Sequence, residues 1–142
     1  MKFELLTLSG AKFQGEAEEV QLTTTSGQMG VLPHHEPLVA QVVPGAVTVR
    51  TGKGAPEVFA TYGGLLEVTA DHVRLLADEA DHESELVAEE IEAALAEAKE
   101  MRDKAKDKTE LANAQQMIDR SQVRLGVARM RRTHHRERPP QG

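Results

Sequence analysis

The punctuation of this chain changes once, near Ala80, and that change limits what it can fold into. Before it, turn-forming residues recur at short intervals: Ser9-Gly10, Gly15, Ser26-Gly27, Pro33, Pro44-Gly45, Gly52-Lys53-Gly54, Gly63-Gly64 and Asp71-His72. After it, from Ala80 to Arg138, there is one glycine, Gly126, and no proline. Short segments between frequent turns suit strands, whereas a long stretch free of breakers and rich in Ala, Glu, Lys and Arg suits helix.

The apolar period supports the same division. Phe3, Leu5 and Thr7 alternate with Glu4, Leu6 and Leu8, Val47 and Val49 alternate with Thr48 and Arg50, and Val58, Ala60 and Tyr62 repeat the scheme. Alternation of this kind turns one face of a strand inward and the other outward. It predicts an all-β N-terminal unit over residues 1–82, a sandwich or barrel of about eight to ten antiparallel strands.

Beyond Ala80 the period lengthens. Val87, Ile91, Ala94, Ala98, Met101 and Ala105 follow at alternating spacings of four and three, with Ser84 placed to cap and Glu85, Glu89 and Glu90 near the positive end of the helix dipole. After the hydrophilic run Asp103–Lys108, Thr109 and Glu110 are placed to cap a second helix, with the seam Leu111, Ala114, Ile118, Ser121, Leu125 and Ala128. Two such helices make a C-terminal antiparallel α-helical hairpin over residues 83–138, fraying from Arg136 and ending in a disordered tail at 139–142. Alanine and serine fill about half of the seams, and each Leu replaced by Ala forfeits on the order of 1–2 kcal/mol of burial. A seam of this kind suits either a hairpin that opens cheaply or a stable close-packed pair.

Composition removes several function classes. There is no cysteine, so disulfides, thiolate catalysis and sulfur-ligated metals are excluded. The start, Met1-Lys2-Phe3-Glu4, has no basic segment followed by an apolar one, and no run approaches the roughly 18 apolar residues that span a bilayer. Membrane association is therefore expected only through a complex. Charge is polarised: residues 1–80 carry 5 basic and 10 acidic side chains, residues 81–110 carry 5 and 11, and residues 111–142 carry 7 and 2, all seven being arginine. The net of −6 argues against nucleic acid as a partner of the whole molecule. Arg120, Arg124, Arg131 and Arg138 recur along the second helix at roughly helical spacing, with Arg129, Arg132 and Arg136 beside them reading as a solvated face. Arginine, unlike lysine, pairs bidentately with carboxylate or phosphate, so the recurring set suits an acidic protein loop or a nucleotide.

No Gly-rich phosphate loop with Lys-Ser or Lys-Thr, no dinucleotide fingerprint, no His-Glu-x-x-His and no nucleophile elbow is present. His34-His35-Glu36 is the most ligand-like cluster, but neighbours in an extended segment point to opposite faces, and a structural loop is the better reading. His72 and His82 read as turn residues and His134-His135 as a solvated pair. The chain is thus expected not to be an enzyme. An alternative function, a stand-alone nucleic-acid-binding module using the C-terminal arginine cluster, lacks aromatic side chains on which bases stack.

The stretch Gly27-Gln28-Met29-Gly30-Val31-Leu32-Pro33-His34-His35-Glu36-Pro37-Leu38 resembles the signature of ATP synthase epsilon subunits, G-x-x-G-x-x-P-x-H-x-P-L, at every fixed position. Pro44-Gly45, Tyr62-Gly63-Gly64-Leu65-Leu66-Glu67-Val68 and Val73-Arg74-Leu75-Leu76-Ala77-Asp78 resemble later strands of the same family. The resemblance implies a non-catalytic rotor subunit of the F-type proton-translocating synthase, at the cytoplasmic face of the bacterial cell membrane as a peripheral protein. It implies docking on the gamma subunit and the c-ring, with Ser26, Gly27, Gln28, Met29 and Gly30 as a rotor contact and His35, Pro37 and Leu38 shaping the loop near gamma. It implies a mobile hairpin that inhibits ATP hydrolysis, with Arg120, Arg124 and Arg129 meeting an acidic loop of the beta subunit. No cofactor is required. Some family members bind ATP through I/L-D-x-x-R-A; here Ile118 and Asp119 keep the first two positions, while Gln122 and Val123 depart from the Arg and Ala.

Overall fold

The computed structural model describes the backbone of residues 1–137 and the side chains of residues 1–130; the tail expected at 139–142 lies outside the described residues. The chain divides into two compact units, Met1–Glu83 and a second beginning at Ser84.

The first unit is a sandwich of ten strands: β1 (Lys2–Thr7), β2 (Gly10–Glu16), β3 (Glu19–Thr24), β4 (Gly27–Val31), β5 (Leu38–Val42), β6 (Gly45–Arg50), β7 (Glu57–Thr61), β8 (Gly64–Val68), β9 (His72–Ala77) and β10 (Ala80–His82). Their order is β10-β7-β6-β3-β5-β8-β9-β1-β2, with β4 beside β3. The ladder folds over at the β3–β5 junction, where a single pair, Thr24 and Val42, joins two five-stranded layers. Every pairing is antiparallel except β1 with β9, which runs parallel from Lys2–His72 to Leu6–Leu76. The inward faces supply Val20, Leu22, Val31, Val47, Val49 and Phe59 from one layer and Phe3, Leu5, Val42, Leu66, Val68, Val73 and Leu75 from the other. Such β-branched and leucine side chains fit the pleat and bury without polar atoms.

Strand β7 departs from the simple alternation. Phe59, opposite Val47, is the residue in the sandwich core, while Val58 and Ala60 are buried on the other face of the strand. Period two fixes which residues share a face but not which face is inward when both are apolar. The turn into β8 depends on glycine: a Cβ on Gly64 would collide with the Leu76 carbonyl oxygen and stand 2.9 Å from the Ala77 Cα. His72 and His82, expected in turns, instead open β9 and close β10.

The second unit is a helical hairpin, α1 (Ala88–Asp103) packed on α2 (Lys108–Glu137). Ser84 does not cap α1: a 3₁₀ turn covers Glu83–Glu85, and Val87 holds the cap position with no side-chain hydrogen bond. A cap is worth about 1 kcal/mol and burial of a leucine about 2, and the displaced start buries Leu86. Asp107, rather than Thr109, caps α2, accepting from the Glu110 amide at 2.8 Å, while Glu110 Oε2 accepts from the Lys106 amide at 2.9 Å. The α2 backbone continues through the stretch from Arg136 to Glu137 where fraying was expected.

The seams follow suit. On α2, Ala114, Ile118, Ser121, Leu125 and Ala128 are buried, Leu111 is exposed, and Val127 is buried on the opposite side of the helix. On α1 the buried line is Ala88, Ile91 and Ala98 with Leu95 half-buried, whereas Val87, Ala94 and Met101 are exposed. The helix is rolled by about 50° from the expected seam, so that Leu95 is half-buried and the smaller Ala94 exposed.

Candidate functional site

The motif-bearing stretch of the sequence folds as one hairpin and one tight turn. At the β3–β4 tip, the Thr24 hydroxyl donates to the Gly27 carbonyl and accepts from the Ser26 amide, both at 3.1 Å. Gly27 sits at φ 117°, a region that side chains with a Cβ avoid. Thr7-Leu8-Ser9-Gly10 builds the same turn with the same two hydrogen bonds. Along β4 the alternation splits the predicted contact residues: Met29 packs against the core, while Gln28 and Gly30 face outward opposite Thr23 and Gln21. Gly30 leaves room for Glu19, whose Oε1 accepts from Gln21 Nε2. Ser26, Gly27 and Gln28 are thus an exposed tip, and Met29 is a residue that holds it to the sandwich.

After β4, the His35 amide donates to the Leu32 carbonyl at 3.2 Å, closing a turn with Pro33 second and His34 third at φ 67°. That is a type II turn, in which proline presets the second residue and the third must be left-handed. His35 Nδ1 donates to the Glu36 carbonyl at 2.7 Å, which fixes its ring as a brace of the loop. Pro37 is exposed, and Leu38 is half-buried against the core. Among the described residues no group of three His, Asp or Glu side chains is placed to hold a metal ion.

A surface that sequence reasoning missed lies on the outer face of the β5-β8-β9-β1 layer. Leu65 pairs with Leu76, and Leu76 with Leu6, so the three leucines form one cross-strand row. Leu65 and Leu76 are each 44 % exposed, Val39 nearby on β5 is 65 % exposed, and Leu8 at the β1–β2 tip is 99 % exposed. The adjoining row is charged: Glu67 pairs with Arg74 in the ladder, and Arg74 Nε reaches Glu4 Oε2 at 3.1 Å. The signal was present in the sequence, because Leu65 and Leu76 have opposite parity to the core residues Leu66 and Leu75 on their own strands.

On the hairpin, Arg120 and Arg124 lie one turn apart and half-buried on one face of α2. Arg129 is exposed and lies nine residues from Arg120, half a rotation away. The predicted arginine trio is thus a pair plus one on the opposite side; the side chains of Arg131, Arg132, Arg136 and Arg138, with His134 and His135, lie outside the described residues. Ile118 is buried in the hairpin seam, and Asp119 faces outward and accepts from Gln115 Nε2 at 2.9 Å. No helix among the described residues is long and apolar enough to cross a membrane.

Comparison with known proteins agrees with this architecture. The family described as "ATP synthase, Delta/Epsilon chain, beta-sandwich domain" matches residues 1–83. An ATP synthase epsilon chain of Delftia acidovorans is 40 % identical over 103 residues, covering 72 % of this chain and 75 % of the relative. One of Corynebacterium jeikeium is 37 % identical over 115 residues, covering 80 % and 94 %. Among solved structures, a chain of the Euglena gracilis mitochondrial ATP synthase assembly of OSCP, F1 and c-ring superposes with a TM-score of 0.74 at 24 % identity, covering 85 % of this chain and 76 % of that one. A chain of the Tetrahymena thermophila mitochondrial central stalk and c-ring gives 0.58 at 13 %, covering 90 % and 96 %; both likenesses concern the fold. With a matched sandwich, a helical hairpin in the same order and relatives of this similarity, the chain belongs to the ATP synthase epsilon chain family, a non-catalytic subunit of that complex.

Proposed function

We propose that the chain is a central-stalk rotor subunit that docks on gamma and the c-ring and restrains ATP hydrolysis through its hairpin. The observation that carries docking is the outward leucine row of half-buried Leu6 with exposed Leu65 and Leu76, flanked by Val39 and Leu8 and bordered by the Glu67–Arg74–Glu4 row. Contiguous apolar surface with a polar rim is the anatomy of a protein contact. The leucine row is assigned to gamma, together with the loop braced by His35, Pro37 and Leu38. The tip Ser26–Gln28, with Gly30 beside it, is assigned to the c-ring, and the subunit is read as a peripheral protein of the cytoplasmic face of the bacterial membrane.

Restraint of hydrolysis rests on the hairpin. About half of its seam positions are alanine or serine, so separating the helices forfeits less apolar burial than a leucine seam would. Arg120 and Arg124 share a face and are assigned to an acidic loop of the beta subunit. ATP enters only as a regulatory ligand at Asp119, because Ile118 is committed to the seam; calorimetric titration at millimolar ATP without heat removes that part of the reading.

The docking test is reconstitution of the full chain with gamma and the c-ring. Changing Leu65 and Leu76 together to Asp leaves a folded sandwich, since both side chains are outward, and is expected to weaken binding to gamma by at least about a hundredfold. Unchanged affinity in a folded double variant overturns the assignment.

A further inference from the structure

The charged row beside the leucines is not balanced. Val39, Glu67, Arg74 and Glu4 stand side by side on β5, β8, β9 and β1, each the ladder partner of the next. Arg74 directs its Nε to Glu4 Oε2 at 3.1 Å, and Lys2 Nζ lies 3.8 Å from Glu4 Oε1. Two cations therefore converge on Glu4. Glu67 enters no ion pair among the described residues.

The surroundings of Glu67 make its carboxylate costly to cover. The residue is already half-buried. Val39, 65 % exposed, faces it across the β5–β8 ladder, and Leu65 lies two residues away on the same face of β8. In the isolated chain, water solvates the carboxylate. A surface that closes over Leu65, Leu76 and Val39 takes Glu67 out of water with them, and a carboxylate enclosed without a counter-charge or donor opposes the contact. The nearest cation of the chain itself, Arg74, is engaged by Glu4.

We propose that Glu67 receives a cationic side chain, lysine or arginine, from the protein surface that covers the leucine row. The inference rests on the docking reading, in which that surface belongs to gamma, and adds the charge the surface must carry and where it must carry it. Glu67 is then a specificity-determining residue. The leucines offer area to any apolar surface, whereas the carboxylate selects one that brings a cation opposite β8 and rejects one that brings an acid.

The experiment measures binding of the full chain to gamma, with thermal midpoints as the control for an intact sandwich. Glu67→Gln keeps the shape and removes the charge; it is expected to weaken binding about tenfold and to make the affinity fall less steeply with salt. Glu67→Lys is expected to weaken binding at least about a hundredfold. In an Arg74→Gln background the effect of Glu67→Gln is expected to persist, because the counter-charge comes from the partner. Leu65→Asp with Leu76→Asp separates the two readings. If that variant binds gamma as the wild type does, the docking reading itself fails. If it loses binding while Glu67→Gln and Glu67→Lys bind like the wild type, docking stands and the cationic partner is overturned. Loss of the Glu67→Gln effect in the Arg74→Gln background overturns it as well, since Arg74 would then supply the charge.

Discussion

His34 is the one described residue other than glycine with positive φ, and its role follows from that geometry rather than from its imidazole. The turn from Leu32 to His35 requires a left-handed third residue, which costs a residue with a Cβ about 1–2 kcal/mol. Replacement by valine, whose branching at Cβ fits that region worse, is expected to destabilise the sandwich by about 1–2 kcal/mol, whereas glycine is expected to be nearly neutral. Urea unfolding followed on the sandwich separates the two, and equal midpoints for Val and Gly would refute the turn assignment. Gly64 makes a sharper case. A methyl group there runs into the backbone of Leu76 and Ala77, so Gly64→Ala is expected to cost at least about 2 kcal/mol. A Gly64→Ala chain with unaltered thermal midpoint contradicts the close β8–β9 approach. The arginines also separate at this scale. Arg120→Glu with Arg124→Glu is expected to raise ATP hydrolysis by the assembled complex, and Arg129→Glu alone to do much less, because Arg129 points from the other side of α2. Equal effects in the two variants count against a single docking face.

At the scale of elements, the hairpin is held by small residues brought close. Ala98 on α1 and Ala114 on α2 are both fully buried, so the helices have no room for larger side chains at those positions. Ala98→Leu is therefore expected to lower the stability of the hairpin by about 1–3 kcal/mol through overpacking. Exchange measurements should show faster opening of residues 88–130 with β1 and β9 unaffected; an Ala98→Leu chain with unchanged helix protection means that the seam is looser than it looks. The contrast with the sandwich is physical. There, β-branched and leucine side chains interdigitate between two layers, and the Phe13–Phe59 contact crosses between them. A unit with an alanine seam has less apolar area to lose on opening than one filled with Val, Leu and Phe.

For the whole molecule, the relevant feature is a β unit with an apolar outer row and a second, helical unit that carries Arg120, Arg124 and Arg129. Such an arrangement suits an adaptor: the leucines give area, and the neighbouring Glu67, Arg74 and Glu4 give orientation at a contact. The Leu65, Leu76 double substitution tests this surface as the proposed contact with gamma.

Much of this architecture was legible in the residues alone. The loss of Gly and Pro after Ala80 separates strand from helix, because those residues act locally through φ and through the missing amide. The motif from Gly27 to Leu38 carried the family, and its turn chemistry is local as well. What the sequence left open were choices decided by packing at a distance. The inward face of β7 depended on Phe59 meeting Val47 and the opposite layer, since both faces of that strand are apolar. The roll of α1, with Leu95 half-buried and Ala94 exposed, was set by packing, and the start of α1 by the burial of Leu86 over the capping of Ser84. The leucine row exists only once β8, β9 and β1 are laid side by side, residues 6, 65 and 76 being brought together by register and not by proximity in the chain. Local conformational preference is written in each short segment; which surfaces face each other is a property of the assembled whole.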